Sequence, residues 1–205
     1  MRKILAWVLL ALALFALTAC GQKEEPATLG GWTLTEELTI DQKAQGAFDK
    51  ALEGLTGVDY VPLGLLGTQL VSGTNYCFLC EATVVYPGAQ PYYALVYVYE
   101  DLQGGAKILN IVALDLGDIA ETGAVNDVPP AGEQLLGGWQ VDRESSVEIE
   151  GAALHLGSQT VSGKNHCVLC KSWALSFLYE DLEGTTTVTK IVPLDIAALS
   201  QPAGA

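Results

Sequence analysis

Residues 69–80 read QLVSGTNYCFLC, and residues 159–170 read QTVSGKNHCVLC. The same twelve-residue phrase therefore occurs twice, each time as a Gly-bearing turn followed by a Cys-x-x-Cys pair. Either half of the phrase could carry the function, with the other half as scaffold. The sequence around the two phrases favours the turn.

Three further phrases recur in the same order along the chain. LGGW at 29–32 returns at 136–139, YEDLQG at 99–104 returns as YEDLEG at 179–184, and IVALD at 111–115 returns as IVPLD at 191–195. Self-similarity in a constant order indicates a duplicated structural unit. The polar, Val-Pro-Pro-containing segment between the copies predicts a linker over residues 117–134.

The first copy changes its hydrophobic periodicity once. Apolar residues recur at helical spacing from Ile40 to Leu55, and Thr39 is a candidate N-cap with Gln42 three residues later. Alternating β-branched and aromatic residues then predict four strands, at 60–71, 75–86, 92–101 and 107–116. With a strand at LGGW, we expect an α+β domain over residues 29–116, in which one helix packs on an antiparallel sheet.

The second copy, residues 135–198, is shorter. The segment between Trp139 and Gln159 alternates like a strand at Val147 and Ile149 but has no helical stripe. We expect a reduced, mostly β repeat. An uncovered apolar face costs roughly 25 cal/mol per Å², so this repeat should pack on the first copy or on a second molecule.

The chain begins with two cations and an apolar run that is too short to span a membrane comfortably. Residues 1–19 therefore predict a secretory signal, and Leu17-Thr18-Ala19-Cys20 resembles a bacterial lipobox, in which the Cys thiol is acylated. We expect lipidation at Cys20, a tether at 20–28, and a membrane-anchored protein outside the cytoplasm. The alternative is a Leu- and Ala-rich signal that happens to end beside a cysteine.

The composition is acidic, with 24 Asp and Glu residues against 10 Lys and Arg and a formal net charge of −14. A field of this sign repels phosphate backbones. Nucleic acid is therefore not an expected partner.

The motif order of the first copy resembles the cystatin superfamily, most closely its stefin and plant-type members. The resemblance rests on Gly30-Gly31 before the first strand, the helix, Gln69 to Gly73 followed by Asn75-Tyr76, and a second hairpin. It covers residues 29–116, and residues 136–196 carry it in fragments. The resemblance implies a cystatin-like fold and reversible, non-covalent occlusion of the cleft of a papain-like cysteine protease.

The resemblance also assigns roles to residues. Three segments would enter the protease cleft: the trunk Gly30 and Gly31, the turn Gln69, Leu70, Val71, Ser72 and Gly73, and the hairpin tip Leu102. The matching turn of the second copy contains Gln159, Val161, Ser162 and Gly163. The second hairpin departs from the family, because it reads Asp-Leu-Gln-Gly where many cystatins have Pro-Trp or Leu-Pro. A non-inhibitory surface binding or adhesion module is the alternative function.

The Cys-x-x-Cys pairs also suggest a metal or redox site. Residues three apart in a strand point to opposite faces, so Cys77 and Cys80 could not clamp one ion without a bulge. The same alternation places Phe78 and Cys80 under the helix, and we expect Cys80 and Cys170 to be small core residues. Cys77 and Cys167 should face outward, where they could pair across the copies if the repeats pack sheet to sheet. We expect structural cysteines, no cofactor or metal, and no enzymatic activity.

Two smaller features are interpreted as structural. His155 lies in an apolar strand, where we expect a hydrogen-bonded edge residue and not a base. The pairs Glu100-Asp101 and Glu180-Asp181 stand at hairpins, where carboxylates are usually solvated turn caps.

Overall fold

The first repeat forms a five-stranded antiparallel sheet, sheet A. The structure, a computed structural model, describes residues 30–126, 138–145, 147 and 149–201. Sheet A contains β1 (Trp32–Leu34), β2 (Val58–Val71), β3 (Gly73–Val84), β4 (Tyr92–Glu100) and β5 (Ala106–Leu114). Each strand pairs with the next one in the chain.

The second repeat forms a matching sheet, sheet B. Its strands are β6 (Gln140–Val141), β7 (Ala152–Thr160), β8 (Lys164–Cys170), β9 (Ala174–Glu180) and β10 (Thr186–Pro193), again paired in chain order. The two irregularities of the β2–β3 pairing, at Pro62/Gly64 and Leu65/Gly67, recur in β7–β8 at Ala152/Leu154 and His155/Gly157. The duplication therefore extends to the backbone. Val147 and Ile149, expected in a strand, lie outside the strands of sheet B.

Three short helices accompany the sheets in the described part of the chain: α1 (Gln42–Ala51), α2 (Leu116–Thr122) and α3 (Ile196–Leu199). The N-cap of α1 is Asp41, not Thr39 as predicted, and its carboxylate accepts from Ala44 N at 2.7 Å. α1 covers the outer face of sheet A, where Phe48 packs edge to face on Phe78.

The expected α+β, cystatin-like class is wrong. The chain is mostly β, with two five-stranded antiparallel sheets in place of one helix-covered sheet and a reduced repeat. The physical reason lies in the strands at the centre of sheet A. β4 is buried along both faces from Tyr93 to Val98, so α1 can cover only half of its apolar surface. Sheet B covers the other half, which confirms that the second repeat packs on the first.

The contacts between the sheets are reciprocal. Tyr93 Oη donates to Leu156 O at 2.7 Å, and Trp173 Nε1 donates to Leu66 O at 2.6 Å. Tyr93 and Trp173 begin equivalent stretches of the two repeats, and Leu66 and Leu156 occupy equivalent places in β2 and β7. The two repeats are therefore related by an approximate internal twofold, and buried side-chain donors fix how they meet.

Each repeat also packs its C-terminal helix on the other repeat's sheet. A Cβ on Gly157 in β7 would lie 2.8 Å from Leu116 Cδ1 of α2, and a Cβ on Gly67 in β2 would lie 2.7 Å from Ile196 Cδ1 of α3. Tyr97 Oη donates to Ile196 O at 3.0 Å. Residues 117–122, predicted as the start of a linker, thus form a helix that buries Ile119 in the core. Residues 127–134 lie outside the described residues.

Adding a methyl group at these close approaches is expected to be destabilising. Gly157→Ala would also bring its Cβ within 2.6 Å of Gln140 O, and overpacking of this kind costs about 1 to 3 kcal/mol. Gly46→Ala is the matched control, because Gly46 is exposed in the middle of α1 with no heavy atom within 4 Å of its Cβ position. There the change should stabilise by up to about 1 kcal/mol. Urea unfolding measures the free energy of unfolding of the two variants, and an equal change in both would contradict the tight helix–sheet contact.

Candidate functional site

The trunk and the first turn lie side by side at one end of sheet A. Gly30 N donates to Leu70 O at 3.1 Å, and Gln69 Nε2 donates to Gly30 O at 2.9 Å. Gly31 follows directly and leads into β1, whose Trp32 stands opposite Gln69. Two segments that the sequence separates by nearly forty residues are therefore joined by backbone and side-chain hydrogen bonds.

Gln69 acts as the link between these segments. Its Oε1 accepts from Asn75 Nδ2 at 2.6 Å while its Nε2 holds the trunk. In the second repeat, Asn165 Nδ2 donates to Gln159 Oε1 at 3.3 Å. Gln69, which the family resemblance assigns to the protease cleft, therefore positions the turn, and the second repeat retains its hydrogen bond from the asparagine.

The tip of the turn presents apolar side chains on a fixed backbone. Leu70 is 45% exposed and Val71 39% exposed. The carbonyl of Ser72 accepts from Tyr99 Oη at 2.7 Å. Gly73 has φ +133°, and a Cβ there would lie 2.2 Å from Glu100 O. Ser72 and Gly73 thus anchor the turn to the neighbouring strand, while Leu70 and Val71 face solvent.

The β4–β5 hairpin stands beside this turn. Asp101 Oδ1 accepts from Gln103 N and Gly105 N, both at 2.8 Å, so Asp101 is the turn cap that the sequence predicted. Leu102, at the tip, is 79% exposed. Together with Leu70 and Val71 it gives three exposed apolar side chains on adjacent turns.

Glu100 is not the solvated cap that the sequence predicted. Its Oε2 accepts from Tyr76 Oη at 2.9 Å and pairs with Lys43 Nζ at 3.4 Å. Burial, together with the Glu100 carboxylate, raises the pKa of Tyr76. The tyrosine therefore remains a hydrogen-bond donor at neutral pH, and the base of the hairpin is fixed.

The second repeat reproduces the turn with a less apolar tip. Tyr179 Oη donates to Ser162 O at 2.6 Å, and Gly163 has φ +137°. Val161 and Leu182 are exposed, but Thr160 stands where the first repeat has Leu70. Only the first repeat therefore carries two adjacent aliphatic side chains in its turn.

The alternation correctly placed Cys77 and Cys80 on opposite faces of β3, but the expectation that Cys77 and Cys167 face outward is wrong, because both are fully buried in the cluster between the sheets. Cys77 lies between the sheets and Cys80 lies under α1. All four described cysteines are free thiols, so the pairing considered across the copies is not formed. Burial raises the pKa of Cys77 to about 12, and burial also raises the pKa of Cys80 and Cys167. Thiols of this kind are poor nucleophiles and poor metal ligands at neutral pH.

No cluster of three or more His, Cys, Asp or Glu side chains among the described residues is placed to hold a metal ion. In the same part of the chain no helix is long and apolar enough to cross a membrane. The predicted signal, the lipidation site Cys20 and Gly137 of the second LGGW phrase lie outside the described residues.

Sequence reasoning missed a buried polar chain in the second repeat. His155 Nε2 lies 3.0 Å from His166 Nδ1, and His166 Nε2 lies 2.9 Å from Glu180 Oε2. His155 Nδ1 contacts the carbonyl of Asp142. β6 pairs with β7 only at Gly157 and Ser158, so His155 has a strand partner on the β8 side alone, and both of its ring nitrogens are hydrogen-bonded. Aligning the repeats pairs Glu180 with Glu100 and His166 with Tyr76, but the alignment alone does not show that His155 contacts His166.

The chain matches no protein-family model, no curated protein and no solved structure.

Proposed function

We propose that the protein is a reversible inhibitor of papain-like cysteine proteases, which occludes the active-site cleft with the β2–β3 turn. The observation that carries the proposal is the group of exposed apolar side chains Leu70, Val71 and Leu102 on adjacent, internally braced turns. The trunk residue Gly30 lies against the same turn. We call these adjacent turns and the trunk the inhibitory edge. Such a projecting edge is better suited to enter a groove than to bind a flat surface.

The bracing has an energetic consequence for binding. Loops that must be ordered on association lose affinity, whereas a turn that is fixed beforehand avoids that cost. Ser72 O is held by Tyr99, and Gln69 holds the trunk, so Leu70 and Val71 would enter the cleft with little reorganisation. Their side chains would displace water from the cleft, and the backbone would not be aligned for attack by the catalytic thiol.

Anchoring is the second part of the proposal. Acylation at Cys20 would hold the protein at a membrane surface outside the cytoplasm, because each buried methylene contributes about 0.8 kcal/mol. The acidic net charge of −14 disfavours contact with anionic lipid head groups. The inhibitory edge would then face solvent, where a secreted protease could reach it.

Inhibition assays with the chain from residue 21 onward test the proposal. Against papain, the double change Leu70→Ala and Val71→Ala is expected to raise the inhibition constant at least tenfold, because burying one aliphatic side chain contributes about 1.5 to 3 kcal/mol. Val85→Ala is the matched control, since Val85 is exposed and follows the far end of β3. It should leave inhibition unchanged. Micromolar protein without effect on several papain-like enzymes would sink the proposal.

A second candidate is a non-inhibitory binding or adhesion module. It is favoured by Val188 and Ile191, which are exposed on the edge strand β10. The equivalent residue in the first repeat, Ile111, packs in the cluster under α1. A partner that binds with equal affinity to the wild type and the Leu70→Ala, Val71→Ala variant would favour this function over inhibition.

A further inference from the structure

The hydrogen-bond chain from the Asp142 carbonyl through His155 and His166 to Glu180 fixes how many protons these groups carry. The carbonyl of Asp142 can only accept, so His155 Nδ1 must carry a hydrogen. A neutral His155 then accepts at Nε2, and His166 Nδ1 must donate to it. One more proton lies between His166 Nε2 and Glu180 Oε2, on the ring or on the carboxylate. The three contacts are all hydrogen bonds only when two rings and one carboxylate share three protons.

A fourth proton does not fit this chain. If His155 took up a proton at Nε2 while His166 Nδ1 kept its own, two N–H groups would face each other across the 3.0 Å between these atoms. Both rings are buried, and His166 is only 2% exposed, so water cannot screen the second charge. Uptake of this proton therefore requires the rings to separate or to reach solvent.

The charged groups around His155 do not remove this conflict. Asp142 and Lys164 flank the ring from the start of the repeat and from β8, and the Glu180 carboxylate contacts the other ring, that of His166. Burial lowers the pKa of His155, opposed by the Asp142 carbonyl and carboxylate and reinforced by the charges of His166 and Lys164. His155 therefore stays neutral at a pH where a solvated histidine would already be charged.

One segment, the strap, depends on this arrangement. We define the strap as residues 142–145. Asp142 N donates to Leu156 O at 3.0 Å, Ser158 Oγ donates to Asp142 Oδ2 at 2.9 Å, and the carbonyl of Asp142 rests on His155. Lys164 Nζ donates to Ser145 Oγ at 2.9 Å. The first residue of the strap is therefore tied to β7 directly through the histidine.

We propose that His155, His166 and Glu180 form a proton-dependent lock, which holds the strap on sheet B at neutral pH and releases it on acidification. The first repeat lacks the lock, because Leu65 and Tyr76 occupy the places of His155 and His166. Tyr76 still donates to Glu100, and a tyrosine does not change charge between pH 5 and 8. Both histidines of the chain lie in the second repeat, so the first repeat has no histidine to titrate in this pH range.

The sign follows from linkage. A histidine whose folded pKa lies below its unfolded value near 6.5 stabilises the closed state fully above pH 6.5. That contribution is lost as the pH falls toward the folded value, because the open state binds the proton more tightly. Since one proton is taken up on opening, the opening equilibrium should rise up to about tenfold for each pH unit in this window.

Amide hydrogen exchange at Asp142 tests the lock in the full chain. After correction for intrinsic exchange, opening at Asp142 N should increase about tenfold per pH unit below pH 6.5. The matched control is the double variant His155→Leu, His166→Tyr, which copies the first repeat and should show no such rise. A rise of the same size in the variant, or no rise in the wild type, would overturn the proposal.

Nitrogen chemical shifts of the wild-type histidines give a test that needs no variant. We expect His155 as the Nδ1–H tautomer at pH 7.5, with Nε2 accepting from His166. A His155 found as the Nε2–H tautomer, or one that titrates near 6.5 with no change at Asp142, would also overturn the lock.

Discussion

Replacing Trp173 with Ala is expected to lower the free energy of unfolding by about 3 to 5 kcal/mol. Trp173 is fully buried between the sheets, and its Nε1 donates to Leu66 O in the opposite sheet. Its backbone adopts φ +52°, and the preceding Ser172 adopts φ +67°. Side chains in this region strain the backbone, so packing of the indole must hold the turn in place. Alanine keeps the strain and loses the packing.

Two neighbouring changes separate these contributions. Trp173→Phe removes the N–H but retains an aromatic ring, and Leu66 O still accepts from Thr35 N at 3.0 Å, so its cost should be well below that of alanine. Ser172→Gly relieves strain at an exposed position and should stabilise by up to about 1 kcal/mol. Urea unfolding followed by linear extrapolation measures all three. A loss below about 1 kcal/mol for Trp173→Ala would mean that the sheets are not held together by this contact.

Some features of the fold could be predicted from the sequence alone. The recurrent phrases placed Trp32 and Trp139 at equivalent positions of the two repeats, and each packs edge to face on the equivalent ring, Tyr97 or Phe177. Alternation assigned Cys77 and Cys80 to opposite faces. Such local patterns are written in one strand at a time, so a single sequence is enough to interpret them.

The fold class could not be obtained in the same way. The uninterrupted apolar run of β4 is typical of a strand that is buried on both faces, yet nothing within the run shows what covers the second face. The exchange of α2 and α3 between repeats depends on Gly67 and Gly157. Their contacts join residues far apart in the chain, so only the assembled sheets make the reason for each glycine visible.

In the candidate site, too, the residues could be predicted from the sequence, whereas the long-range contacts could not. Leu70, Val71 and Leu102 were singled out from the sequence, and the structure brings them to one end of sheet A. The hydrogen bond from Gln69 to the trunk was not predicted, because it depends on Gly30 lying beside the turn. The contact of His155 with His166 requires the register of β7 with β8, which a bulge shifts.

Gly73→Ala is expected to have the second large effect, on the β2–β3 hairpin itself. The new Cβ would lie 2.2 Å from Glu100 O and 2.8 Å from Tyr99 Cε2, at a backbone φ of +133°. Backbone strain of this kind costs about 1 to 3 kcal/mol, and overpacking costs a similar amount. Gly104→Ala is the matched control: φ is +79° but no heavy atom lies within 4 Å, so only the strain remains. In thermal unfolding, the Tm of Gly73→Ala should lie well below that of Gly104→Ala.

This ranking decides how the turn phrase is understood. Gly73→Ala should weaken both folding and protease inhibition, whereas Leu70→Ala should weaken inhibition alone, because Leu70 faces solvent. If Gly73→Ala abolished inhibition without a loss of stability, the glycine would be needed at the protease and not in the hairpin. Gly163 is under the same constraint, with φ +137° and Glu180 O at 2.7 Å from its Cβ position. The repeated glycine therefore follows from the fold in both copies, and Leu70 in place of Thr160 is what distinguishes the proposed inhibitory turn.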